Sequence, residues 1–257
     1  MKDELIAFER LLNIMDELRE KCPWDKKQTI KSLRSLTIEE VYELVEAISE
    51  NDFSEIKKEL GDVLLHIVFY SKIASEKKLF DITDVINGIC DKLVFRHPHV
   101  FGNISVKDDK EVEENWEKLK ISKKGGGKSV LSGVPSALPA LVKANRIQQK
   151  VRGVGFDWEK KHQIWDKVFE ELDELKTEID SFNKNKIEAE FGDLLFSVIN
   201  AARLYDVDPE SALERTNKKF IKRFNYLEKN TIKKGISLKS MSLDEMNVIW
   251  EEAKQFD

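Results

Sequence analysis

Glu171 and Glu174 stand three residues apart in "EELDELKTEI" (170–179), and Glu190 and Asp193 repeat that spacing in "EFGDLLFSVI" (190–199). Residues three apart on a helix share a face. With the polar turn residues "DSFNKNK" (180–186) between them, two antiparallel helices would bring the four carboxylates to one point. Oxygen-only ligation suits a hard cation, Mg²⁺ or Mn²⁺. Mg²⁺ keeps its waters or takes substrate phosphates rather than resting in a closed protein cage, so the pattern points to phosphate chemistry. Asp193 is followed by "LLFSVI" and Asp62 by "VLLHIV". An ionised carboxylate against a dry core is costly unless paired or metal-bound, which argues against a plain solvated face. A carboxylate-bridged di-iron site is the competing chemistry, but it calls for Glu-x-x-His on two helices. Here the corresponding positions are Glu174 and Asp193; His66 follows Asp62 by four, and its counterpart is Ser197.

Cations to grip a phosphate follow in the chain. In "TNKKFIKRF" (216–224), Lys219 and Arg223 are four apart on one helix face, either a phosphate grip or a basic surface stripe. Lys186 precedes the second carboxylate pair and is a further candidate. Glu170, beside Glu171, is a candidate base or second-ion ligand, although neighbours on a helix point about 100° apart. Trp116 reads as core, while Trp250 is open between core and base stacking. Gly61 and Gly192 sit inside helical segments at a cost of about 1 kcal/mol each relative to alanine, which reads as close helix approach beside the metal. Thr37 with Glu40 has the spacing of a capping box, a structural role that competes for Glu40. "GGGKS" (125–129) looks like the end of a phosphate loop. Its first glycine position holds Ser122 and no apolar strand precedes it, so the segment reads as a joint instead.

The elements that must position these side chains are helices. Apolar residues recur at helical spacing at Ile38, Val41, Leu44, Val45 and Ile48, and again at Val168, Leu172, Leu175 and Ile179. No series of period-2 strands with hairpin turns is visible. An internal repeat runs through the chain: "EEVYELVEAI" (39–48) answers "EELDELKTEI", and "ELGDVLLHIV" (59–68) answers "EFGDLLFSVI", at a fixed offset of 131 positions. "KLVFR" (92–96) answers "KFIKR" (219–223), and "WEKLK" (116–120) answers "WEEAK" (250–254). The expected architecture is all-α, a tandem repeat with an N-terminal unit over 1–121, a linker over 122–136 and a C-terminal catalytic unit over 137–257. The 257 residues, 41% hydrophobic and 35% charged, suit a soluble helical chain of one large or two smaller domains. A net charge of −5 disfavours general nucleic-acid binding. Two cysteines without CxxC spacing disfavour a disulfide framework or thiolate zinc site and fit a reducing cytosol. No apolar stretch approaches the ~20 residues that span a bilayer, and the N-terminus lacks a signal-peptide pattern, so a cytoplasmic chain with no membrane partner is expected.

The double pattern resembles the MazG family of nucleoside triphosphate pyrophosphohydrolases over nearly the whole chain. The hallmark Glu-Glu-x-x-Glu, spacer, Glu-x-x-Asp occurs as Glu39-Glu40-x-x-Glu43 with Glu59-x-x-Asp62, and as Glu170-Glu171-x-x-Glu174 with Glu190-x-x-Asp193. "CPWD" (22–25), "RHPHVFG" (96–102), "SVLSGVPSALPAL" (129–141) and "VGFDW" (154–158) are similar to segments of its two-domain bacterial members. The resemblance implies MazG-like, four-helix-bundle-type units, a homodimer, Mg²⁺ dependence (with Mn²⁺ as a substitute), and hydrolysis of nucleoside triphosphates, ATP among them, to monophosphate and pyrophosphate. It implies that the C-terminal copy carries most or all of the hydrolysis. Glu171, Glu174, Glu190 and Asp193 would bind the metal, with Glu40, Glu43, Glu59 and Asp62 as a second set. Lys186, Lys219, Arg223, Trp250 and the segment around Lys167–Glu171 would contact the nucleotide. Glu55 stands 131 positions before Lys186, which supports the asymmetry, although Lys92 and Arg96 answer Lys219 and Arg223. A nucleotide-sensing or protein-binding regulator with structural metal sites is the alternative of a different class.

Overall fold

The computed structural model describes residues 2–108, 111, 112, 115, 129–233 and 235–256. Among them the regular structure is helical and no strand occurs, as the periodicity predicts. No described helix is long and apolar enough to cross a membrane. The chain divides into two compact units, Met1–Ser105 and Val106–Asp257. The expected boundary at 121/122, Trp116 and Lys128 lie outside the described residues. Of the expected linker, Val130–Gly133 forms a 3₁₀ turn, and Lys150 and Lys143 donate to the carbonyls of Val130 and Ser136.

In the first unit, α1 (Lys2–Lys21) and the short α2 (Pro23–Lys27) lead into a hairpin of α3 (Leu33–Glu50) and α4 (Phe53–Glu76), followed by α5 (Ile82–Arg96) and α6 (Pro98–Phe101). In the second, α7 (Ala140–Arg152) precedes a hairpin of α8 (Ile164–Ser181) and α9 (Lys184–Leu204), then α10 (Pro209–Ile232) and α11 (Leu243–Ala253). Each hairpin is the most closely packed helix pair of its unit, and α1 and α7 lie against its second helix. α3 and α8 begin and end 131 positions apart.

The hairpin turns are built alike. Asn51 and Phe182 end their helices in the left-handed conformation, each at φ 55°. Asp52 then caps α4 by accepting from the N–H groups of Ser54 and Glu55, and Asn183 caps α9 by accepting from that of Lys186. Such caps satisfy N–H groups that have no partner inside the helix. The turn is therefore shorter than "DSFNKNK" suggests. Lys186 lies in the first turn of α9, and the matching caps fix its alignment with Glu55.

The first core joins Met15, Leu33, Val68, Phe69 and Ile73, with Leu36 and Leu65 packed against it. The second joins Ile164, Val168, Ala201 and Leu204, with Leu194 against it. Two expectations change. Thr37 lies inside α3, where its hydroxyl donates to the Leu33 carbonyl and meets His66 and Tyr70, so no capping box competes for Glu40. A Cβ placed on Gly61 or Gly192 meets nothing within 4 Å among the described residues, so neither glycine marks a close helix approach among them.

Phe182 combines a bulky side chain with a positive φ and is 91% exposed. A left-handed conformation costs an L-residue about 1–2 kcal/mol. Phe182→Gly is expected to raise unfolding stability by about 1 kcal/mol, net of glycine's greater chain entropy. Urea denaturation of the two proteins checks this; a loss of stability would show that the ring makes a compensating contact.

Candidate active site

The hairpin turn sets α8 and α9 side by side, and three carboxylates meet across them. Oxygens of Glu171, Glu174 and Glu190 all lie within 4.8 Å of one another, and those of Glu40, Glu43 and Glu59 do the same in the first unit. Each trio thus draws two members from the first hairpin helix and one from the second. The fourth expected member falls outside the 4.8 Å group in each case but remains nearby: Asp193 lines a cavity that Glu171 also lines, and Asp62 acts on Glu40 through its charge.

Burial is distributed otherwise than the apolar runs suggest. Glu171 is 7% exposed and Glu59 3%, whereas Asp193 is exposed and Asp62 half-buried. The "LLFSVI" run after Asp193 is not a dry core, since Leu195, Phe196 and Val198 are all exposed. The buried charge is met by lysine. Lys167 pairs with Glu171 at 2.7 Å and Glu170 at 2.9 Å, and Lys58 pairs with Glu59 at 2.8 Å. These contacts, Glu171 first, hold the Lys167 ammonium well above the ordinary lysine range. The second oxygen of Glu59, Oε2, is buried with no hydrogen-bond partner among the described residues. Burial, then the charges of Glu171 and Glu190, push the Glu174 carboxyl up. Burial, then Asp62, Glu43 and Glu59, do the same at Glu40. An all-carboxylate donor set of this kind, with an orphaned buried oxygen and raised proton affinity, fits a hard divalent cation.

The predicted nucleotide-gripping residues are spread more widely. Lys186 pairs with Glu178 at 3.1 Å. Lys219 is exposed on α10, and Arg223 on the same helix lies over the Trp250 ring at 5.7 Å. Trp250, half-buried on α11, also packs against Phe220 with ring centroids 5.0 Å apart. Lys167 alone of the predicted cations lines the cavity that Glu171 and Asp193 share.

That cavity encloses about 560 Å³ within the second unit. Gly155, at φ 87°, turns the chain out of α7 so that Phe156, Asp157 and Trp158 reach its wall. This left-handed backbone favours glycine. Phe196, Ile147 and Val151 complete an apolar lining, and Gln148, Asn200 and Arg203 add polar groups. Arg203, only 8% exposed, forks onto Asp157 with Nη1 and Nη2 and donates from Nε to Asn200 Oδ1 at 3.0 Å. Sequence reasoning assigned none of these residues to the site. "VGFDW" carried the signal for Asp157 and Trp158, while Gln148 in "NRIQQKVR" had none.

The model of the MazG nucleotide pyrophosphohydrolase domain matches residues 28–101 and 159–227, which include both hairpins. Gln148, Asp157, Trp158 and Trp250 fall outside the matched segments. The chain is 45% identical to the nucleoside triphosphate pyrophosphohydrolase/pyrophosphatase MazG of Thermotoga maritima, over 100% of this chain and 99% of that protein. It is 39% identical to the nucleoside triphosphate pyrophosphohydrolase of Escherichia coli K12, covering 96% and 97% of the two chains. It is also 46% identical to the uncharacterized protein YabN of Bacillus subtilis, over 96% of this chain and 52% of that protein.

The raised Glu174 carboxyl has a definite pH consequence. In the folded protein it keeps its proton to higher pH than in the unfolded chain, so above the ordinary value of 4.5 the folded state binds more protons. Its contribution to stability therefore falls as pH rises through that window. Glu174→Gln is expected to stabilise the metal-free protein, with a gain that grows from pH 4.5 upward. Thermal denaturation of both proteins across this range measures the difference; a gain independent of pH would rule out the raised Glu174 carboxyl, whether from burial or from its charged neighbours, as its cause.

Proposed function

The chain belongs to the MazG family of nucleotide pyrophosphohydrolases, and from that premise we propose that its C-terminal unit hydrolyses nucleoside triphosphates to nucleoside monophosphate and pyrophosphate with Mg²⁺, or Mn²⁺ in its place. The observation that carries the reading is Glu171, which belongs at once to the carboxylate trio and to the wall of a cavity of about 560 Å³. Glu171, Glu174 and Glu190 would hold the cation, with Asp193 one helical turn beyond Glu190. A hard cation on these oxygens withdraws charge from phosphate and makes water a stronger acid. Lys167 offsets the charge of Glu171 while the site waits for its cation, and it is placed to turn to a phosphate oxygen afterwards. Lys219 and Arg223 are assigned to the leaving pyrophosphate, as positive groups that stabilise charge developing there. Glu170, engaged by Lys167, is retained only as a candidate base.

The comparison of the two copies supports placing hydrolysis in the second. At the shared offset of 131, Lys167 corresponds to Leu36, Ser197 to His66 and Asn200 to Phe69. Phe69 is buried in the first core, and Leu36 packs against it. The first unit thus keeps a carboxylate trio while apolar core occupies positions that line the cavity in the second. Glu174→Ala or Asp193→Ala is expected to abolish pyrophosphate release, by at least ~100-fold if cation binding is lost, whereas Glu43→Ala largely spares it. Assay of pyrophosphate and monophosphate in the three variants tests this. Full activity in Asp193→Ala with loss in Glu43→Ala would transfer catalysis to the first unit. Nucleotide binding by the unaltered protein without any turnover would favour the regulator.

We also propose that the chain acts as a homodimer. Both hairpins expose large apolar side chains, among them Ile38, Val41, Val45, Leu60 and Leu64 in the first unit and Phe169, Phe191, Leu195 and Val198 in the second. Exposed apolar side chains in this number on one hairpin suit an interaction surface. Open space over Gly61 and Gly192 leaves room for another helix to approach. Sedimentation equilibrium should give twice the chain mass, with Leu195→Glu shifting it toward the monomer; a monomeric unaltered protein overturns the assignment. The unpaired Cys22 and Cys90 suit a reducing cytosol as its setting.

A further inference from the structure

Lysines stand at both ends of the carboxylate trio in the second unit. On α8, Lys167, Glu171, Glu174 and Glu178 follow one another at steps of four, three and four residues and share one face. On α9, Lys186, Glu190 and Asp193 share a face in the same way. The turn at Phe182 and Asn183 brings Glu178 opposite Lys186, and Lys186 Nζ meets Glu178 Oε1 at 3.1 Å. The other oxygen of Glu178, Oε2, accepts from the Ser181 hydroxyl at 2.8 Å. Ser181 first, and then Lys186, hold the Glu178 carboxyl below its ordinary range. A lysine and a glutamate four apart on a helix pair readily, and Lys167 does so with Glu171 at 2.7 Å. Lys186 stands the same four residues before Glu190, a member of the trio, yet it engages Glu178 across the turn. The first unit builds its turn without this pair. At the shared offset of 131, Glu178 corresponds to Ala47 and Lys186 to Glu55. Ala47 is buried and Glu55 pairs with Lys58 on its own helix, while Asn51 and Asp52 still make the same left-handed residue and cap.

We propose that Glu178 is a positioning residue: it holds Lys186 at the turn end of the trio, off Glu190, so that the ammonium is kept for a phosphate oxygen of the cation-bound substrate. The proposal rests on the pyrophosphohydrolase reading and adds a residue to it. Four residues of helix span about 6 Å, so the ammonium held by Glu178 lies within a side chain's swing of whatever Glu190 helps to bind. The lysine side chain is 60% exposed. An ion pair this open contributes little to stability, and a lysine is a flexible point charge that can exchange one oxygen partner for another. Without Glu178, the carboxylate one turn along the face of Lys186 is Glu190, and an ammonium paired there competes with the cation for the same oxygens. The two copies agree with this division. The pair occurs whole in the unit whose trio adjoins the cavity, and both of its members are replaced in the other.

Glu178→Ala, Lys186→Ala and the double variant form a cycle with the unaltered protein. Calorimetry measures Mn²⁺ alone, and inorganic tripolyphosphate in the presence of Mg²⁺, on all four. Lys186→Ala is expected to weaken tripolyphosphate by about tenfold, the loss of one charge-assisted contact, and to leave Mn²⁺ bound at least as tightly. Glu178→Ala is expected to weaken tripolyphosphate by about three- to tenfold and Mn²⁺ by about threefold, because Lys186 then turns to Glu190. In the Lys186→Ala background, Glu178→Ala should change neither affinity, since a residue that acts through another has no effect once that other is gone. Equal losses from Glu178→Ala with and without Lys186 overturn the proposal, because Glu178 would then act by its own charge or by supporting the turn. Unchanged binding of both ligands in Glu178→Ala overturns it as well. In pyrophosphate release, Glu178→Ala should raise KM more than it lowers kcat, and a fall in kcat alone counts against the role. If the unaltered protein releases no pyrophosphate while the cycle still shows the coupling, the hydrolytic reading fails and the role of Glu178 toward phosphate stands.

Discussion

Glu171, Glu174 and Glu190 are held within 4.8 Å of one another, and that concentration of negative charge is what the rest of the second unit must sustain. Nothing about three carboxylates is self-assembling: they repel, and burying Glu171 adds a desolvation penalty. They stay together because the helices that carry them are fixed by other contacts. Ile164, Val168 and Leu175 are buried on α8, and Ala201 and Leu204 on α9. Lys167 offsets part of the charge with a side chain one helical turn before Glu171. The raised proton affinity of Glu174 records its desolvation first and then the repulsion that is left over. A site that binds protons more readily than an ordinary glutamate is also one that gains by exchanging them for a divalent cation.

The same strain is built twice, which separates what the hairpin does from what the surroundings do. Asn51 with Asp52, and Phe182 with Asn183, make the same turn, and each turn delivers a trio of glutamates. The walls beyond the trio differ. Where α9 carries Asn200, α4 carries Phe69, packed into a core with Met15 and Leu33. A ring there contributes apolar burial to folding; the amide there accepts from Arg203 in the cavity wall. The same position is thus apolar core in one copy and cavity wall in the other.

Much of this was legible before any coordinates. The two carboxylate pairs, their offset of 131 and the helical period placed Glu171, Glu174 and Glu190 on facing helices, and the structure brings those three together. The apolar run after Asp193 was misleading. Leu195 and Val198 are exposed, because hydrophobic periodicity reports that a face is covered and not what covers it. Gly61 and Gly192 misled in the same way, since no neighbour among the described residues approaches them. The cavity was barely legible: Gln148, Asp157 and Arg203 are brought to one wall from three segments, and no short spacing links them.

What the amino-acid sequence determined by itself is the local part: helices from period, the hairpin from its polar turn residues, and the carboxylates from i, i+3 spacing, all set by contacts among residues close in the chain. The tertiary structure decided which glutamate is buried, which lysine neutralises it, and that Asn200 must turn its donor away from Arg203. Those outcomes depend on the distance between groups far apart in the chain and on the water excluded from between them. Composition and periodicity carry neither quantity.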